Sequence, residues 1–219
     1  DLGVGSGSHA VQTADIMKRF EPEVDKHNPA AVLVVGDVNS TIACGLVAAK
    51  KNIPVIHVEA GLRSGDRTMP EEVNRILTDQ ISDLLYTTER EAADNLAREG
   101  ISGDKIQFVG NVMIDTLRNN LEQATPAKDI FEKNGGGANF TGEIDSYAIL
   151  TMHRPANVDN EDVLRSLLET MNEVSKTIPI VFPVHPRTAS KIELFKLEPL
   201  LDNDAILRVP PAGYLEMLG

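Results

Sequence analysis

Short apolar runs rich in β-branched residues recur along the chain, separated by amphipathic stretches, and this alternation limits the fold more than any other feature. The runs are Ala31 to Val35, Ile53 to Val58, Leu84 to Tyr86, Ile106 to Val109, Ala148 to Leu150, Ile178 to Val184 and Ala205 to Val209. Largely uninterrupted by polar residues, they read as parallel strands covered on both faces by helices. The segment His9 to Lys26 places Val11, Ala14, Met17, Phe20 and Val24 at helical spacing, and Asn28-Pro29 stops it. Ser40-Thr41 can cap a helix over Ile42 to Lys50, and Pro70 with Glu71 and Glu72 opens one running to about Ser82. Glu89 to Glu99 ends at Gly100, a C-terminal cap, and further helices fit Val112 to Gln123, Asp162 to Lys176, Ala189 to Phe195 and Tyr214 onward. Strands that alternate strictly with helices predict an α/β fold with right-handed crossovers and open parallel sheets.

The alternation breaks once. Ala124 to Ser146 holds Thr125-Pro126, Asn134 before Gly135-Gly136-Gly137, and Thr141-Gly142, with no sustained period. It reads as an irregular junction (124–146) between one unit at 1–123 and another at 147–219. A chain of 219 residues can bury cores of that size. The 21 Lys and Arg face 33 Asp and Glu, a formal charge of -12, which argues against a nucleic-acid partner bound by counterion release. An anionic ligand needs a local pocket, for which the strand-end cations Arg63, Arg75, Arg154 and Arg187 are available. The single Cys44 fits a reducing cytoplasm, no zinc-like Cys/His spacing calls for a metal, and no apolar run has the length of a membrane span. Asp1-Leu2-Gly3 begins neither a signal peptide nor a normal start, so the chain is expected to be a piece of something longer.

In open α/β sheets ligands gather beyond the carboxyl ends of the strands, where this chain places reactive residues. The first run ends in Gly36-Asp37-Val38-Asn39-Ser40-Thr41 and the second in His57-Val58-Glu59-Ala60-Gly61-Leu62-Arg63-Ser64; later runs end in Met152-His153-Arg154 and His185-Pro186-Arg187. Each has a plainer structural alternative. Asp37 can belong to a helix N-cap. Glu59 closes an apolar strand, where a carboxylate either pairs with Arg63 or His57 or is used chemically. At least one of Glu71 and Glu72 is expected to be a surface residue favoured by the helix dipole. His153 beside Arg154 is either a core residue or a neutral ring able to act as a base or hold a phosphate. His9 and His27 read as surface residues. No Gly-x-Gly-x-x-Gly follows a strand, and neither a Walker lysine motif nor a nucleophile elbow is present, so no dinucleotide cofactor is expected. What remains is acid/base chemistry by Asp, Glu and His, with an anion held by Arg and helix-start N–H groups.

Taken as an ordered set, these motifs, with Met69-Pro70-Glu71-Glu72-Val73-Asn74-Arg75, Val109-Gly110-Asn111-Val112-Met113-Ile114-Asp115 and Asn157-Val158-Asp159-Asn160, resemble the non-hydrolysing UDP-N-acetylglucosamine 2-epimerases in an archaeal-like form. The resemblance implies a GT-B-like fold of two Rossmann-like parallel-sheet domains, with a UDP-sugar between them and no cofactor. It implies reversible C2 inversion to UDP-N-acetylmannosamine, by elimination of UDP to 2-acetamidoglucal and re-addition. Asp37, Glu59, Glu71 and His153 match the family's catalytic residues, and Arg154 and His185 match positions near the nucleotide; Arg63 and Arg75 are further candidates for the anion. A cytoplasmic homodimer serving cell-surface polysaccharide synthesis is the family expectation.

The family's Gly-Thr-Arg-Pro-Glu strand and its Asp-Ser-Gly-Gly segment are not in this sequence, so both domains are expected to be incomplete and the chain alone inactive. Ala156 stands where the family usually has Glu, and Val11 where bacterial members have an activator-binding Arg, so activation by UDP-N-acetylglucosamine is not carried over. A sister epimerase for a diacetamido uronic acid and a non-catalytic UDP-sugar binder of the same fold are the competing expectations.

Overall fold

The computed structural model describes residues 1–134 and 146–219, and the chain divides into two compact units, Asp1–Asp115 and Thr116–Gly219. The first unit runs α1 (His9–His27), β1 (Val32–Val35), α2 (Asn39–Lys50), β2 (Val55–Val58), α3 (Pro70–Ile81), β3 (Leu84–Thr87), α4 (Arg90–Arg98) and β4 (Ile106–Phe108), and α5 (Val112–Asn120) straddles the boundary. Its strands are parallel and lie in sequence order β1-β2-β3-β4. With every crossover right-handed, that order puts α2, α3 and α4 on one face of the sheet. Val32, Val34 and Val55 pack there against Ala48 of α2 and Phe20 of α1, and Leu85 packs against Leu96 of α4.

The other face of this sheet departs from the expectation of cover on both sides. Leu33 is 57% exposed and Val35 51%, so among the described residues the alternate positions of β1 have no helix over them. Uninterrupted apolar strands signal two buried faces only when the chain supplies two helical layers.

The second unit supplies both. After α5 come α6 (Ala127–Lys133), β5 (Ala148–Ile149), α7 (Pro155–Val158), α8 (Glu161–Ser175), β6 (Ile180–Pro183), α9 (Pro186–Leu194), β7 (Ile206–Val209) and α10 (Tyr214–Leu218). The sheet is parallel in the order β5-β6-β7. Leu164 and Leu168 of α8 and Ile192 of α9 cover Ile180, Phe182 and Ile206. On the opposite face Phe131 of α6 packs on Val181 and Val209, with its ring edge-on to Tyr147 at 5.1 Å between centroids.

Helix α6 lies inside the stretch read as an irregular junction. It is a single short element without a side-chain cap, held in place by burial of Phe131 rather than by a local pattern. The Gly135-Gly136-Gly137 and Thr141-Gly142 signals lie outside the described residues.

Two helix starts also differ from expectation. Ser40-Thr41 does not cap α2, which begins at Asn39 after Val38; the Thr41 hydroxyl instead donates to the Val35 carbonyl at 2.8 Å. Helix α9 begins at Pro186, earlier than Ala189, because His185 serves as its N-cap and accepts from the Arg187 N–H at 3.2 Å.

Candidate functional site

In the first unit the carboxyl ends of β1 and β2 and the start of α3 bring Asp37, Glu59 and Glu71 to one edge of the sheet. Asp37 is not the N-cap of α2. Its carboxylate meets the Arg75 guanidinium at 2.6 Å, and Asn74 donates to its backbone carbonyl at 2.8 Å. Arg75 is therefore committed to carboxylates, since it also pairs with Glu72 at 2.8 Å.

Neither of the two glutamates opening α3 is the exposed surface residue expected of at least one of them, and Glu72 is a structural residue. It is buried and accepts from the N–H groups of Ser64 and Gly65, both at 3.0 Å. Burial alone would raise its carboxyl, but the Ser64 and Gly65 N–H groups and Arg75 outweigh that and hold it at about 2. Glu71 is half-buried, with no side-chain partner among the described residues.

Glu59 has a backbone φ of 68°, a left-handed conformation that costs a side-chain-bearing residue roughly 1–2 kcal/mol. Its Oε2 lies 3.2 Å from where a Cβ on Gly36 would sit, so a glycine with its own φ of +70° is what lets the two turns approach. The two expected partners of Glu59 are both engaged elsewhere. His57 bonds Asp79 at 2.7 Å, and Arg63 bonds Asp79 at 2.8 Å and Glu99 at 2.6 Å. The Glu59 side chain is left half-buried with no hydrogen-bond or ion-pair partner among the described residues.

Arg63, expected to hold substrate, also donates to the Leu62 carbonyl, so most of its donors are engaged within the unit. Burial would lower its pKa, yet Glu99 and Asp79 raise it above the ordinary value. Asp79 escaped the sequence reading because it lies within a helix. The signal was Glu72 and Asp79, on one helix face at i and i+7 with Ile76 between them, charged where an amphipathic helix is normally apolar. His9, read as a surface residue, is exposed, with its Nδ1 3.1 Å from Asn39 Nδ2, which donates to Gln12 at 2.7 Å.

In the second unit His153 and Arg154 follow β5 and His185 follows β6. Both histidines and Arg154 are exposed, so the core alternative for His153 does not hold. The two imidazoles face each other at 5.6 Å between centroids. His185 Nδ1 accepts a backbone N–H, which leaves its Nε2 to donate outward. Arg187 is held by Asp159 at 2.5 Å, and that guanidinium keeps the Asp159 carboxyl below its usual range. Of the four strand-end arginines, Arg154 is the one with no carboxylate partner among the described residues. No group of three or more His, Cys, Asp or Glu among the described residues could hold a metal ion.

Carboxylates at strand ends in one unit and a histidine–arginine cluster in the other agree with the outcome of comparison with known proteins. The family model for UDP-N-acetylglucosamine 2-epimerase matches residues 1–219. The chain belongs to the UDP-N-acetylglucosamine 2-epimerase family. It is 43% identical, over its whole length, to the UDP-N-acetylglucosamine 2-epimerase of Methanococcus maripaludis, 60% of which it covers. It is 39% identical over 99% of its length to UDP-2,3-diacetamido-2,3-dideoxy-D-glucuronate 2-epimerase of Pseudomonas aeruginosa, covering 58% of that protein. In three dimensions it matches the Methanocaldococcus jannaschii UDP-GlcNAc 2-epimerase in complex with UDP-GlcNAc and UDP, with a TM-score of 0.83 and 39% identity over 98% of this chain and 59% of that one. This member of the family thus has a GT-B-like α/β fold with Rossmann-like parallel sheets. It spans about three fifths of the length of the relatives it matches.

Proposed function

We propose that the protein is a UDP-N-acetylglucosamine 2-epimerase of the non-hydrolysing kind. A base removes the C2 proton of the sugar as the C1–O bond to UDP breaks, giving 2-acetamidoglucal. UDP then adds back at C1 while a proton arrives on the opposite face of C2. The C2 proton beside an acetamido group is only weakly acidic, so the reaction asks for carboxylates held in unlike environments. Asp37 against Arg75 and the unpartnered Glu59 are such a pair, with Glu71 beside them.

The observation that carries this reading is Glu59, kept in a left-handed turn while both neighbouring candidates, His57 and Arg63, are bonded to Asp79. His153, Arg154 and His185 are assigned to the diphosphate, with His153 also available to the chemistry. Residues 1–123 are assigned to the N-terminal domain of the enzyme and 147–219 to the C-terminal one. The substrate class and the half-buried thiol of Cys44 support a reducing, cytoplasmic setting. A homodimer, and supply of precursor for cell-surface polysaccharide, rest on the family alone.

The test is solvent deuterium incorporation at C2, using the chain extended to the full length of its relatives. Label should enter both UDP-sugars, and folded protein that incorporates none overturns the reading. The identity to the diacetamido uronate epimerase supports a second substrate. A uronic acid would want a further cation, whereas three of the four strand-end arginines are already paired with carboxylates.

A further inference from the structure

His57 and Asp79 form a buried pair that the proposed chemistry does not itself use. Both are fully buried, His57 in β2 and Asp79 towards the end of α3. The imidazole lies between two acceptors, donating through Nδ1 to Asp79 Oδ1 at 2.7 Å and through Nε2 to the Gly36 carbonyl at 2.9 Å. A ring that makes both bonds carries two protons and a positive charge. The other oxygen of Asp79 accepts from the Gly61 N–H at 3.1 Å and from Arg63 at 2.8 Å, and Arg63 continues to Glu99. The network thus runs from the buried Asp79 through Arg63 out to the exposed Glu99, and the Asp79 carboxylate finds its partners within the protein, the condition for keeping it buried.

The two backbone groups that the pair holds are placed to matter. Gly36 directly precedes Asp37, and Gly61 lies two residues after Glu59. Glu59 has a φ of 68°, a conformation that a residue with a side chain keeps only where its surroundings enforce it, and it lies between Gly36 and Gly61, whose φ values of 70° and 77° a glycine adopts freely. Gly36 also donates to the Val58 carbonyl at 3.0 Å, so the two turns are joined at several points.

We infer that His57 and Asp79 are positioning residues, an imidazolium–carboxylate pair that ties the Gly36 carbonyl to the Gly61 amide and thereby sets the separation of Asp37 and Glu59. The inference rests on the epimerase reading for its effect on rate, and on the geometry alone for its effect on the two turns. A displacement of about 1 Å between reacting groups costs on the order of 100-fold in rate.

The first experiment needs no activity. Amide hydrogen exchange on the 219-residue chain is compared with His57→Gln and Asp79→Asn. The Gly36 and Gly61 amides should exchange about tenfold faster in both variants, while amides of α1 and of the second unit keep their rates. Unchanged exchange at both glycines, or an acceleration spread evenly over the chain, overturns the inference. Should the variants not fold, the nitrogen spectrum of His57 in the parent chain decides: two ring N–H groups at neutral pH support it and one overturns it.

The second experiment follows epimerisation by the chain extended to full length. In Asp79→Asn, kcat should fall about 100-fold with KM within about twofold, and Asp79→Glu should recover part of the loss. An unchanged kcat, or a loss confined to KM, overturns the positioning role. If the extended parent exchanges no label at C2, the epimerase reading fails, and the amide exchange still decides whether the pair holds the two turns.

Discussion

The two units handle charge in opposite ways. In the first, strand-end charges neutralise one another through Asp37–Arg75–Glu72 and through His57, Asp79, Arg63 and Glu99. In the second, His153 and Arg154 are exposed, and the one strand-end arginine that is paired, Arg187, is matched at the surface by Asp159. Burial explains the difference, since a charge removed from water must find its partner inside the protein. A carboxylate fixed within such a network, as Asp37 is by Arg75, is held in one geometry, whereas the exposed Arg154 keeps its donors towards solvent. Cover of the sheets runs the other way: β1 of the first unit leaves Leu33 and Val35 bare, while α6 closes the second face of the other sheet.

Under the epimerase proposal, the sharpest break of this comparison is Glu59→Gln in the chain extended to full length. C2 exchange should fall by about 100- to 10,000-fold with UDP affinity retained, as for loss of a general base. An isotope assay that finds the rate unaltered would remove Glu59 from the chemistry.

Next in size is Phe131→Ala, which empties the contact of α6 with Val181 and Val209 and should cost about 3–5 kcal/mol. Denaturant titration should show the loss in the second unit, with the first unaffected. Stability of the first unit should also depend on acid through Glu72. Its folded carboxyl sits at about 2 against an ordinary 4.5, so its contribution is present in full above the ordinary value and lost as pH falls through the folded one. That contribution is on the order of 3 kcal/mol, and Glu72→Gln should flatten the acid limb of the stability profile. A smaller effect is expected of Arg154→Ala, about tenfold in UDP affinity by calorimetry, with stability changed by less than about 0.5 kcal/mol. The same substitution at Arg187 should weaken the surface pair with Asp159 and leave UDP affinity nearly unchanged.

Much of the architecture was legible because its periods are local. The apolar runs are strands in the expected order, and Asp37, Glu59 and Glu71 lie at the sheet edge because each closes a run or opens a helix. The partners of Arg63 were not legible: Glu59, one of the alternatives, is close in sequence, whereas Asp79 and Glu99 reach it from other elements, Glu99 from 36 positions away. Asp79 went unseen for the same reason, its bond to His57 joining residues 22 apart. Helix α6 was hidden in a stretch rich in breaker residues, where its one strong signal, Phe131, has meaning only against a sheet that forms later in the chain.

By itself the sequence determined the α/β alternation, the family, and the gathering of Asp, Glu and His at strand ends, because side-chain period and turn chemistry act over a few residues. Tertiary structure alone decided which charges cancel, which carboxylate is left without a partner and which sheet face is covered. Those outcomes depend on elements distant in sequence being packed together, where the cost of an unmatched buried charge selects the pairs.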